Sequence, residues 1–169
     1  MSDLSIQPLQ LSDPGLISSA FTAIGWKKPA EQYIRYLEQQ EAGARNVLVG
    51  RLNGEFAGYA TIRWMPDYPP FALDRIPAIE DLNVLPVYRR RGVATALLDQ
   101  AEELIGERSS VAGIGVGMDP DYGPAQRLYV LRGYVPDGRG LSYRNRFVAY
   151  GDRVRVDDGL VLHLVKHLA

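Results

Sequence analysis

The chain contains no cysteine, which excludes disulfides, thiolate metal ligation and a cysteine acyl-enzyme on this polypeptide. Histidine is almost as scarce, with two copies in 169 residues, His163 and His167. Their i, i+4 spacing would suit chelation on a helix, but Leu160-Val161-Leu162-His163-Leu164-Val165-Lys166-His167 reads as a strand. Strand residues at that spacing stand about 13 Å apart, too far to share an ion, and no metal is expected. Long apolar runs are missing too: nothing approaches the ~20 residues that span a bilayer. The start Met1-Ser2-Asp3-Leu4-Ser5-Ile6-Gln7 has neither the basic residues nor the apolar stretch of an export signal. The expectation is a cytoplasmic protein without a membrane partner. Charge of one sign is also lacking, since Lys+Arg 19 against Asp+Glu 20 leaves a net −1. No global basic field draws the chain to nucleic acid, and any anion binding has to be local.

What is present is ordinary for a folded domain: 46% hydrophobic and 23% charged residues, far from the profile of disordered chains. The length fits a single domain over residues 1–169, with one core. Leu4 to Leu9 reads as a strand, and Asp13-Pro14 opens a helix that Gly25 closes. Pro29 starts a second helix, with Tyr33, Ile34 and Leu37 on one face until Gly43. Val47 to Leu52 and Phe56 to Ile62 flank Asn53-Gly54-Glu55, a hairpin turn. Four prolines from Pro66 to Pro77 predict an exposed connection. Ala78 to Leu85 is strand-like, and Val93, Ala94, Leu97, Leu98, Ala101, Leu104 and Ile105 repeat at helical spacing. Val111 to Met118 is a glycine-rich strand, and Pro124 starts a short helix that Gly133 stops. Ser142 to Tyr150 and Leu160 to Val165 are terminal strands divided by the turn Asp157-Asp158-Gly159.

Chemistry concentrates where the strand at Leu82-Asn83-Val84-Leu85 passes through Pro86-Val87-Tyr88-Arg89-Arg90-Arg91-Gly92 into the helix at Val93-Ala94-Thr95. Amides at a helix start lack internal acceptors and, with the helix dipole, favour an anion. Gly92 and the small Ala94 allow phosphate close to the backbone. Read alone, three arginines and a glycine are more often a solvated turn. Here Arg89-x-x-Gly92-x-Ala94 resembles the Arg/Gln-x-x-Gly-x-Gly/Ala signature of the GNAT family of N-acetyltransferases, preceding strand and proline included. A second segment, Ala125-Gln126-Arg127-Leu128-Tyr129-Val130-Leu131-Arg132-Gly133-Tyr134, resembles the family's Ala-x-x-Leu-Tyr-x-x-x-Gly-Phe helix. One departure is Tyr122, where the family often carries asparagine, which puts a side-chain amide contact to the cofactor in doubt.

The resemblance implies an α/β fold with a mixed, largely antiparallel sheet of six or seven strands and about four helices. It implies acetyl-coenzyme A as acetyl donor, with the backbone of Leu82, Asn83 and Val84 on the pantetheine arm and acetyl carbonyl. Amides from Arg90 through Arg91, Gly92, Val93 and Ala94 to Thr95 would bind the pyrophosphate, with the Arg89 side chain adding charge. Tyr129 becomes the general acid for the departing thiolate; by position alone it would be a core tyrosine beside Ala125 and Leu128. Glu80-Asp81-Leu82 resembles a stretch of diamine and polyamine acetyltransferases, and adjacent carboxylates attract a cationic amine. Successive strand side chains face opposite sides, so Glu80 is taken as the base or water-orienting group and Asp81 as a substrate contact. Structural carboxylates on a strand end are the competing account of both.

Gly113-Ile114-Gly115-Val116-Gly117 does not fit a dinucleotide loop, because its third glycine is one residue early and no long helix follows. Trp26, Tyr33, Tyr68, Phe71 and Tyr143 are expected to be packing aromatics. The expected reaction is direct acetyl transfer to a small-molecule or protein amine, with a homodimer left open. The rival is a non-catalytic module that senses acyl-coenzyme A.

Overall fold

The computed structural model describes residues 2–169, and they form two compact units. One holds the chain up to Arg63 together with Glu80–Leu104; the other holds Trp64–Ile79 and Ile105–Ala169.

In the first unit β1 (Leu4–Pro8), β2 (Arg45–Leu52) and β3 (Glu55–Arg63) form an antiparallel ladder. The β2–β3 turn is the expected one, with Asn53 and Gly54 both left-handed at φ 53° and 82°. Two helices, α1 (Asp13–Thr22) and α2 (Ala30–Glu41), cover the ladder. Ile17, Phe21 and Tyr33 bury against Val47, Val49, Phe56 and Tyr59. Phe21 lies parallel to Trp26 and edge-on to Phe56 and Tyr59, an arrangement that suits the ring quadrupoles.

Strand β4 (Ala78–Val84) is divided between the units after Ile79. Its later residues run antiparallel to β3: Thr61 Oγ1 donates to the Glu80 carbonyl (3.1 Å), and further along the Leu85 amide donates to Ala57 (2.9 Å). Gly58 makes that approach feasible, because a Cβ there would stand 2.5 Å from the Asn83 carbonyl oxygen. Helix α4 (Val93–Gly106) follows β4 and buries Val93, Leu97, Leu98, Ala101 and Ile105, the apolar face its spacing predicts.

The second unit pairs the start of β4 (Ala78, Ile79) in parallel with β5 (Val111–Gly117). The further ladders, β5 with β8 (Leu160–His167), β8 with β6 (Val135–Tyr143) and β6 with β7 (Arg146–Phe147), are antiparallel. Helix α5 (Gly123–Leu131) follows β5. The described residues thus form eight strands and five α-helices.

Two segments differ from the sequence expectation. Pro66 to Pro77 is not an exposed connection: Pro69–Asp74 is a short helix, α3, with Tyr68 and Phe71 buried. Pro69 and Pro70 occupy the helix start, where a missing N–H costs nothing. Phe71 then fills the slot left by Gly113, whose Cβ would lie 2.4 Å from the ring. Ser142 to Tyr150 is not one strand either. Arg144 and Asn145 are both left-handed, at φ 50° and 66°, and turn β6 into β7.

The β5 glycines therefore serve packing. On one face of the strand, Gly113 admits Phe71, Gly115 admits Val161 and His163, and Gly117 admits the Tyr122 ring. His163 stacks on Tyr68 with ring centroids 3.5 Å apart, and both His163 and His167 lie on β8 as the sequence reading has them.

Candidate functional site

The turn between β4 and α4 is built step by step. After Leu85 a single 3₁₀ turn, Pro86–Tyr88, is closed by the Tyr88 amide on Leu85 (2.9 Å) and the Arg89 amide on Pro86 (3.2 Å). Arg90 and Gly92 then adopt left-handed backbone, at φ 60° and 81°. The first helical bond runs from the Ala96 amide to Gly92 (2.9 Å), so the amides of Val93, Ala94 and Thr95 have no acceptor one turn back. Space in front of Gly92 is open, with nothing within 4 Å of an added Cβ.

Arg89, Arg90 and Arg91 are exposed. The Arg89 guanidinium lies 5.8 Å from the Trp26 ring and reaches the Val84 carbonyl at 3.4 Å. Unpaired amides, a helix start and three cations around open space fit a diphosphate. Arg89, Arg90, Arg91, Gly92, Val93, Ala94 and Thr95 therefore stand together as one donor set, joined by backbone to Leu82, Asn83 and Val84 on the half-buried end of β4.

Just upstream, the backbone departs from regular alternation. Asp81 is left-handed at φ 55° inside β4, a conformation that Asp tolerates better than most residues. The Glu80 carboxylate meets Arg45 Nη1 at 3.4 Å, and that buried guanidinium lies 4.6 Å from the Tyr36 ring. Asp81 meets the hydroxyl of the same Tyr36 at 2.8 Å. Asp81 thus meets Tyr36 of α2 directly and Glu80 reaches the same ring through Arg45, where strand alternation predicts opposite faces; the left-handed conformation of Asp81 itself breaks the regular pleat.

Asp81 is the centre of a dense network. Its carboxylate accepts from Tyr59 (2.6 Å), Asn83 Nδ2 (2.7 Å), Tyr36 (2.8 Å) and Gln32 Nε2 (2.9 Å), and pairs with Lys28 at 3.3 Å. Burial and the Asp81 charge together push the Tyr36 and Tyr59 phenols well above their ordinary pKa, so both remain donors. Lys28, Gln32, Tyr36, Arg45 and Tyr59 were not singled out by sequence reasoning. The available signal was weak: Gln32 and Tyr36 share a face of α2 at i, i+4.

Tyr129 lies in the second unit, as the one buried residue of α5, with its ring tilted against Tyr134 at 6.2 Å. Burial alone raises its pKa to about 12. Its hydroxyl makes no hydrogen bond among the described residues, yet it is not sealed from solvent. Tyr122 spends its hydroxyl on Asp158 (2.9 Å) with its ring over Gly117. Among the described residues no group of three or more His, Asp or Glu is placed to hold a metal, and no helix is long and apolar enough to cross a membrane.

Comparison with known proteins bears on the family and the fold. Residues 15–134 match the Acetyltransferase (GNAT) family, whereas no curated protein shows significant sequence similarity to the chain. Solved structures share the fold at low identity. A ribosomal-protein-alanine N-acetyltransferase from Brucella melitensis has a TM-score of 0.70 at 18% identity, over 97% of this chain and 99% of that one. A structure from Salmonella typhimurium with its cofactor acetyl-CoA has a TM-score of 0.69 at 15% identity, over 98% and 94%. A spermidine N-acetyltransferase chimera from Vibrio cholerae and hSSAT has a TM-score of 0.69 at 13% identity, over 97% and 95%. With the match covering well over half its length, and across both compact units, the chain belongs to the GNAT family of acetyltransferases, which use acetyl-coenzyme A.

Proposed function

We propose that this acetyltransferase transfers the acetyl group to a primary amine by direct attack in a ternary complex, without an acyl-enzyme. The observation that carries the reading is the donor set at the start of α4, where amides without acceptors and three arginines follow directly on β4. Acetyl-coenzyme A supplies an activated thioester. The amides of Val93, Ala94 and Thr95, with Arg89 to Arg91, bind its diphosphate. The backbone of Leu82, Asn83 and Val84 holds the pantetheine arm and offers donors to the acetyl carbonyl.

Glu80, or a water it orders, takes the proton of the amine. Its half-exposed side chain supports this role, as does its place directly before the pantetheine segment. Tyr129 holds the proton that the departing sulfur requires: burial keeps the phenol protonated at neutral pH, and its oxygen is not committed to another protein group. The acceptor is a small-molecule or protein amine.

Release of free thiol from acetyl-coenzyme A against a panel of amines tests the reading. Tight binding with no thiol released for any amine would mark a sensing module instead. Glu80→Gln is expected to depress turnover chiefly below the pKa of the amine, where deprotonation needs most help. An unchanged pH–rate profile in a variant of unchanged Tm would leave Glu80 as a structural carboxylate.

A further inference from the structure

The Asp81 carboxylate is already answered by a cation of the chain itself. Four of its partners, Tyr59, Asn83, Tyr36 and Gln32, are neutral donors; the fifth is the Lys28 ammonium. That ammonium occupies a built cage. Asp81 Oδ1 lies at 3.3 Å, the Tyr59 hydroxyl at 3.2 Å, and the ring centres of Phe21 and Tyr59 at 5.7 and 5.8 Å. A carboxylate, a phenol oxygen and two aromatic rings are the chemistry that recognises an alkylammonium ion. Four-fifths of both charged side chains is out of solvent, with 19% of Lys28 and 21% of Asp81 exposed, so the pair is screened less than a surface one.

This cage adjoins the group assigned to the acceptor. With Asp81 in left-handed backbone its carboxylate meets Tyr36, and the Arg45 guanidinium that pairs with Glu80 lies against that same ring. The two carboxylates are matched by two cations, Lys28 on Asp81 and Arg45 on Glu80. Each carboxylate is thus neutralised by a cation of the chain itself, which weakens its hold on a polycation. Sequence likeness at Glu80-Asp81-Leu82 points to polyamines, and the side chains around those residues point away from them.

We propose that Lys28 is a specificity-determining residue: its ammonium fills the Asp81 cage in place of a substrate's second ammonium, so that the enzyme accepts amines with one cationic centre and rejects diamines and polyamines. This rests on the reading of the Glu80 face as the acceptor side.

The test compares butylamine with spermidine in the wild-type protein, Lys28→Met and Lys28→Arg. Methionine keeps the stem that packs on Phe21 and Tyr59 and removes the charge. In the wild type, kcat/KM for spermidine is expected to fall below that for butylamine. Lys28→Met should shift the ratio toward spermidine by about tenfold or more, the worth of one charge-assisted hydrogen bond, and Lys28→Arg should leave the ratio as it was. Calorimetry with spermidine alone needs no turnover: Lys28→Met should bind it about tenfold tighter than the wild type does, with the gain lost in Lys28→Met/Asp81→Asn. Wild-type preference for spermidine, or a Lys28→Met protein of native circular dichroism with neither shift, overturns the proposal. Gained spermidine binding with no thiol release for any amine would uphold the cage and sink the acetyl-transfer reading.

Discussion

Tyr129 is the residue at which the proposed catalytic role and a core role divide. Its ring is buried and its oxygen is uncommitted, so Tyr129→Phe removes the proton and little packing. Turnover should drop roughly 10²-fold, the low end for general acid–base catalysis, while acetyl-coenzyme A affinity and Tm stay close to wild type. If kcat falls only in step with Tm, the tyrosine is a core residue. His163 carries a different prediction. Burial beside Tyr68 lowers its pKa from 6.5 to about 4, so between those values the unfolded chain binds the extra proton. Its contribution to stability is complete above about pH 6.5 and is lost as pH falls toward 4, with a ceiling of roughly 3 kcal/mol. Denaturant melts at pH 7 and pH 4.5 should show a smaller acid loss for His163→Phe than for the wild type. Equal losses would place the acid sensitivity on other groups. The chain shows the histidine and the tyrosine but not the burial that makes the pKa move.

At the scale of elements, β4 depends on what its neighbours omit. Gly58 on β3 lets the Asn83 carbonyl and the Val84 Cα approach to 2.5 and 3.0 Å of where a Cβ would stand, and both obstacles are backbone. Gly58→Ala therefore has to displace the strand end proposed to hold the pantetheine arm. We expect a stability loss of about 1–3 kcal/mol from overpacking, with weaker acetyl-coenzyme A binding in calorimetry on the folded fraction. Affinity at the wild-type level would mean that this end of β4 does not contact the cofactor. The helical periodicity of α4 and the hairpin at Asn53-Gly54 were legible in the sequence, because their signals are local: an apolar repeat and a turn that needs positive φ. Helix α3 was not, because the burial of Tyr68 and Phe71 depends on a distant glycine strand.

For the whole molecule, the net charge of −1 means that long-range steering adds nothing to anion binding. In the proposed reading, attraction to the cofactor comes from Arg89, Arg90 and Arg91, exposed cations whose reach in 0.1 M salt is about 10 Å. Acetyl-coenzyme A affinity should accordingly fall as salt is raised, and Arg90→Gln should flatten that dependence while the helix amides retain binding. A salt-independent Kd would shift the recognition to the apolar parts of the ligand.

Sequence alone determined the family, the order of most elements and the turn proposed to bind phosphate, because each is encoded in residues close along the chain: a glycine at a left-handed position, small residues at a helix start, an apolar face at helical spacing. Only the tertiary structure decided what surrounds the two carboxylates. Lys28, Gln32, Tyr36 and Tyr59 reach Asp81 from 53 to 22 positions away, and no local pattern marks such partners. The left-handed turn at Asp81 overrides the alternation that sequence reasoning assumes. Several side-chain hydrogen bonds, together with the ion pair to Lys28, offset the cost of that backbone conformation, and those bonds exist only once the helix and the two strands have packed.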